Sequence, residues 1–89
     1  MDQQRVRAML RDFILTNFLP GEPPETLEDS TPLVSSGLIA SLSMLEVATF
    51  IEEEFQLTLG PEDIGIERMD SIDLLVELVA KRSTSARTA

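Results

Sequence analysis

The 89-residue chain contains no cysteine, no histidine, no tryptophan and no tyrosine. Each absence excludes something. Without cysteine there is no disulfide framework, no protein thiolate nucleophile and no cysteine-built zinc site. Without histidine the usual general base near neutral pH is missing, and so is the usual imidazole metal ligand. Basic residues are scarce as well, with 7 Lys and Arg against 16 Asp and Glu for a net charge of −9. A nucleic-acid binder needs a basic face, which argues against DNA or RNA as a partner. No apolar run approaches the roughly 20 residues of a membrane span. The opening Met1-Asp2-Gln3-Gln4-Arg5 lacks the apolar stretch of a signal peptide, so the cytoplasm is the default compartment. These absences point away from an autonomous enzyme and toward an acidic module that other proteins bind.

What is present supports one small folded domain. The 43% apolar content suffices for a single core and is too high for a wholly disordered chain. The charge is unevenly spread. Residues 20–80 hold 14 acids against one base, Arg68, while residues 81–89 carry Lys81, Arg82 and Arg87 and no acid. The acidic middle reads either as a solvated surface that aids solubility or as a landing surface for basic partners.

Periodicity predicts helices. Val6, Met9, Leu10, Phe13 and Ile14 recur on one face over residues 3–18, and Pro20-Gly21 ends that helix. Four prolines and two glycines forbid a regular helix through residues 20–40. Leu27, Leu33, Leu38 and Ile39 are spaced to drop onto a core, which predicts a long ordered loop strapped across a bundle. Residues 41–55 form the clearest helix, with Met44, Val47, Ala48, Ile51 and Phe55 inward. Leu42, Leu45 and Phe50 lie outside that stripe, available either to a partner or for packing against the loop. A short helix or single turn fits within 61–69, weakened by Gly65. A last helix fits 71–82, capped by Asp70 or Ser71, with Lys81 and Arg82 in its last turn. Residues 83–89 lack an apolar pattern and predict a disordered tail, which leaves 1–82 as the domain. The fold class is all-α: three long helices, one short, and the long loop between the first two.

Most chemical motifs fail. Consecutive helix residues point about 100° apart, so Glu52-Glu53-Glu54 cannot share one metal ion, and no metal site is predicted. No serine has a histidine partner for triad hydrolysis. One arrangement remains, Gly37-Leu38-Ile39-Ala40-Ser41-Leu42. A glycine turns the loop, two apolar residues pin it, and Ser41 stands at the start of an acidic helix. Nearby backbone N–H groups there would suit a phosphorylated oxygen. The plainer reading makes Ser41 an N-cap, worth about 1 kcal/mol.

The stretch Ser36-Gly37-Leu38-Ile39-Ala40-Ser41-Leu42-Ser43-Met44-Leu45-Glu46-Val47, followed by Phe50-Ile51-Glu52-Glu53-Glu54-Phe55, resembles the acyl and peptidyl carrier protein family. That family opens its second helix with Gly-x-x-Asp-Ser-Leu and closes it with a Glu-Glu-x-Phe-like end. Asp29-Ser30-Thr31-Pro32-Leu33 and Asp70-Ser71-Ile72-Asp73 resemble its loop and the start of its last helix, so the likeness covers about residues 5–82. The resemblance implies a four-helix carrier fold and a non-catalytic protein. It also implies that Ser41 receives 4′-phosphopantetheine from coenzyme A as a phosphodiester. A separate phosphopantetheinyl transferase would supply magnesium, base and binding surface. The arm's thiol would hold acyl or aminoacyl groups as thioesters for loading, condensing or transferring enzymes of fatty-acid, polyketide or nonribosomal-peptide biosynthesis. Leu42, Leu45, Glu46, Thr49, Glu52 and Glu53 would form the docking face of a monomer. An unmodified acidic helical adaptor is the alternative.

One position departs from the pattern. The family has Asp immediately before the serine, and here the residue is Ala40. Alanine can neither cap the helix nor pair with a cation on the transferase. An engineered substitution that weakens modification, a natural variant served by a tolerant transferase, and a silent carrier-like domain are the three explanations.

Overall fold

The computed structural model describes residues 2–88, and among them there are four α-helices and no strand. Helix α1 covers Gln3–Phe18, α2 Ser43–Phe55, α3 Ile66–Met69 and α4 Ile72–Thr88. Single 3-10 turns at Pro24–Thr26 and Pro61–Asp63 interrupt the connections before α2 and α3. Helix α4 packs against each of the other three, so it is the spine of a small helical bundle.

Local chemistry accounts for the boundaries. Asp2 caps α1, its carboxylate accepting from the Gln4 N–H at 3.0 Å. Pro20 and Gly21 stop α1 as the sequence predicts, and Gly21 takes a positive φ of 86°. Helix α2 begins at Ser43, two residues later than the sequence reading, because Ala40–Leu42 form a turn. It ends at Gln56, which adopts the left-handed region at φ 53° and returns its N–H to the Glu52 carbonyl. Gly65 separates the 3-10 turn from α3, which breaks the helix expected within 61–69 into two short pieces.

The last helix differs from its expected extent. It runs to Thr88 rather than ending at Arg82, since no proline or glycine lies between Ile72 and Thr88 to stop it. Residues 83–88, read from the sequence as tail, therefore continue the helix, and Ala89 lies outside the described residues. Lys81 and Arg82 consequently do not sit in the last turn against the helix dipole. Arg82 instead reaches Asp63, a fully buried carboxylate, at 2.8 Å. Of the two candidate caps for α4, Ser71 serves, its hydroxyl accepting from the Leu74 N–H at 3.2 Å.

The core is continuous. Leu10 and Ile14 of α1, Ile51 of α2, Met69 of α3 and Ile72 and Leu75 of α4 are buried together. The 19–42 connection contributes Leu27, Leu33 and Ile39 to the same cluster. Burying a leucine or isoleucine side chain contributes about 1.5–3 kcal/mol, so these three anchors fix the connection to the bundle. No helix among the described residues is long and apolar enough to cross a membrane.

Candidate functional site

Ser41 lies in the turn that enters α2 and is exposed. The turn is built from overlapping three-residue bonds. Ser43 N–H donates to Ala40, Met44 to Ser41 and Leu45 to Leu42, at 2.9, 3.2 and 3.2 Å. These bonds use N–H groups that the sequence reading leaves free beside Ser41, so the helix start offers less to an anionic oxygen than expected. Leu42, not Ser41, is at the N-cap position, and no side chain caps α2. The capping role for Ser41 therefore has no hydrogen bond behind it. Among the described residues the Ser41 hydroxyl has no hydrogen-bond partner, and the residue is exposed. Ala40 is also exposed, and its methyl places no charge beside the serine.

The preceding loop is tightly held. Gly37 takes φ 85°, a conformation that favours glycine, and its N–H closes a turn onto the Val34 carbonyl at 3.0 Å. Ile39 N–H returns to the Leu33 carbonyl at 3.0 Å. Ser36 donates its hydroxyl to the Pro32 carbonyl. Upstream, Arg7 of α1 bridges Asp29 at 3.1 Å and Asp73 of α4 at 2.6 Å. Arg11 reaches Asp29 at 3.3 Å and the Leu27 carbonyl at 2.5 Å. The hydrogen bond from Arg7 to Asp73 raises the arginine pKa.

Downstream of Ser41, α2 turns one face outward. Leu42 is 80% and Leu45 55% exposed, large values for leucines in so small a protein. Leu45, Glu46, Thr49 and Glu53 share an open groove of about 360 Å³ with Phe13 and Phe50. Its floor is aromatic, with the Phe13 and Phe50 rings stacked at 4.1 Å and 19°. Phe50 is thus partly buried packing, and Leu45 stays on the surface beside it. Glu46 and Glu53 form no ion pair among the described residues.

Of the six residues predicted to form the docking face, four therefore line one groove. Leu42 is exposed one turn before Leu45 but is not a lining residue. Glu52 lies at the edge of the helical arc, and its carboxylate accepts from the Leu59 N–H at 2.9 Å. That bond ties the α2 exit together and draws Glu52 out of the groove. The acids of this last turn have no basic companion. Carboxylates near a helix C-terminus oppose its dipole, at roughly 0.3–1 kcal/mol each, so helix stability does not explain Glu53 and Glu54. Among the described residues, no three acids converge as metal ligands.

Sequence reasoning missed the connection between Asp70 and the serine loop. The Asp70 carboxylate accepts from the N–H groups of Val34 at 2.8 Å and Ser35 at 3.0 Å, and from the Ser35 hydroxyl at 2.6 Å. Its backbone carbonyl accepts from the Leu33 N–H at 2.6 Å. Burial pushes the Asp70 carboxyl up, but these donors outweigh it and hold the group below its ordinary value. The available signal was modest: an acid directly before a serine that can cap the helix alone leaves one of the two with another task. No family model matches the chain, and no curated protein matches it.

Proposed function

We propose that the protein is a carrier whose Ser41 accepts 4′-phosphopantetheine and which presents thioester-bound acyl or aminoacyl groups to partner enzymes. One observation carries the reading: an exposed serine whose hydroxyl has no partner among the described residues stands one turn ahead of an apolar groove rimmed by Glu46 and Glu53, which form no ion pair among those residues. The motif around Ser41 resembles the carrier family's attachment motif, and the order of the four helices is compatible with its fold.

The division of chemistry follows from what the chain holds. Ser41 contributes only its hydroxyl oxygen, which forms the new phosphorus–oxygen bond as the pyrophosphate linkage of coenzyme A breaks. The nucleotide half leaves, and the serine proton passes to a base on the transferase, since no histidine exists here to take it. Once attached, the group supplies the thiol that the cysteine-free chain lacks. Leu45 and the Phe13–Phe50 floor offer apolar contact, and Glu46 and Glu53 attract basic residues around it.

The test is intact mass after incubation with coenzyme A, magnesium and a broad-specificity transferase. The carrier reading expects the phosphopantetheine mass on the parent chain and none on Ser41→Ala. A parent chain and an Ala40→Asp chain that both stay unmodified would overturn it. The exposed Ala40 favours a second reading, an unmodified acidic adaptor that binds basic proteins through the α2 groove. That reading expects partner binding unaffected by Ser41→Ala.

A further inference from the structure

We infer that Asp70 is a positioning residue for Ser41: a carboxylate at the α3–α4 junction that latches the 33–39 turn and thereby fixes where the serine hydroxyl stands. The inference rests on the carrier reading for its catalytic consequence, but its geometric content stands apart from that reading.

The chain of contacts is short and continuous. Asp70 holds Leu33, Val34 and Ser35 through four hydrogen bonds of 2.6–3.0 Å. The same turn is closed internally by Gly37 onto Val34 and by Ile39 onto Leu33. Ile39 is buried, so the turn has one foot in the core and the other on Asp70. Only Ala40 separates Ile39 from Ser41, and the Ala40 and Ser41 carbonyls already engage the start of α2. The serine thus sits between two fixed points, the α2 helix and the latched turn.

The carboxylate has no competing task. Ser71 caps α4, so Asp70 is not needed as its cap. Among the described residues no cation pairs with Asp70, and its acceptor contacts run to the serine loop. Ser35 is exposed, and among the described residues its hydroxyl has Asp70 as its side-chain partner. The junction itself is rigid, because Met69 and Ile72 on either side are fully or nearly fully buried. Such a residue acts on a reaction through geometry, and misplacing a reacting atom by about 1 Å can cost as much as 100-fold in rate.

The experiment compares the parent chain with Asp70→Asn and Ser35→Ala. Amide exchange is followed at Val34, Ser35, Gly37, Ile39 and Ser43, whose N–H bond to the Ala40 carbonyl spans Ser41, and transferase kinetics are measured with the carrier chain as the varied substrate. Asp70→Asn should exchange about tenfold faster across the turn while the α1 and α2 core amides stay protected, since it takes the charge from the bonds to the Val34 and Ser35 N–H groups and replaces the Oδ2 that accepts from the Ser35 hydroxyl with an amide nitrogen. Modification should show kcat lowered about tenfold and KM little changed, because the α2 groove is intact. A merely structural loss would act differently: a smaller folded fraction raises the apparent KM for the chain and leaves kcat alone. Ser35→Ala, which removes one exposed hydroxyl, should shift both measures in the same direction, about threefold. Should Asp70→Asn fail to fold, that milder variant carries the test. Unchanged exchange at Gly37, Ile39 and Ser43, or an unchanged kcat in both variants, overturns the inference. If the parent chain itself gains no mass, the carrier reading fails, and exchange at Gly37, Ile39 and Ser43 still decides whether Asp70 holds the turn before the serine.

Discussion

Two sets of carboxylates divide the labour in this protein. Asp29, Asp63, Asp70 and Asp73 each have a partner within hydrogen-bonding distance, either an arginine of a distant helix or the backbone of a distant loop. Glu46 and Glu53 on α2 have none among the described residues. The first set joins elements far apart in sequence: α1 to α4, the 3-10 turn to α4, and the serine loop to the α3–α4 junction. The second set projects from one exposed face beside an apolar groove. The difference shows that a net charge of −9 is two quantities. Part is consumed in holding the bundle together, and the rest is displayed.

The sharpest way to break this comparison is to remove the serine that the displayed set accompanies. Ser41→Ala should abolish phosphopantetheine attachment completely, read by intact mass, while the unfolding free energy stays within about 0.5 kcal/mol of the parent because the hydroxyl is exposed.

Within the tied set, Asp63→Ala should have the largest effect on stability. It leaves the Gly60 N–H without its acceptor at 2.9 Å and removes the 2.8 Å partner of Arg82, which keeps the exposed Glu62 carboxylate at 3.3 Å. The expected loss is about 1–3 kcal/mol, or a fall of roughly 4–8 °C in Tm for each kcal/mol, checked by thermal melts.

Acid should then weaken the tied set. The hydrogen bond from Arg82, acting against burial, holds the Asp63 carboxyl below its ordinary value, and the loop donors do the same for Asp70. In the unfolded chain both groups bind protons nearer pH 3.9. The unfolded state therefore takes up protons first as pH falls. The stability these two acids supply is fully present above about pH 4–5 and is lost through their lowered folded values. Denaturant melts across that range should show a steep acid limb. Asp70→Asn should flatten it.

The smallest effect on stability belongs to the displayed set. Glu53→Lys should be neutral or stabilising by about 0.3–1 kcal/mol, because a cation suits the end of α2. The same change combined with Glu46→Lys should slow modification by about tenfold at low ionic strength, with the difference shrinking as salt is added. Equal rates at low salt would end the distinction between tied and displayed carboxylates.

The bundle itself was largely legible in the sequence. The 3.6-residue spacing of Val6, Leu10 and Ile14, and of Val47, Ile51 and Phe55, needs no tertiary information, and the Pro20-Gly21 stop is local chemistry. The serine's exposure and most of the groove rim followed from the same helical arithmetic. The ends were less legible. Nothing in the residues 41–43 marks where the turn gives way to helix, and the absence of an apolar stripe after Arg82 did not signal a helix end, because backbone continuity requires only that nothing break it. Least legible were the long-range pairs. Arg7 and Arg11 lie one turn apart on α1, but their partners are 22, 18 and 66 residues away in sequence. Such pairings depend on how elements come together, which no local pattern encodes.

The four phenylalanines of the chain are Phe13, Phe18, Phe50 and Phe55, and they form one linked cluster. Phe13 meets Phe18 edge-on at 5.8 Å, Phe50 meets Phe55 edge-on at 6.2 Å, and the stacked Phe13–Phe50 pair joins the two halves beneath the α2 groove. With tryptophan and tyrosine absent, every near-ultraviolet signal the polypeptide emits or absorbs originates in that cluster. Its circular dichroism is therefore a built-in optical gauge of one place, free of background from elsewhere in the chain. An apolar side chain or acyl group that enters the groove must perturb those rings, and the phenylalanine fine structure will register its arrival without any label.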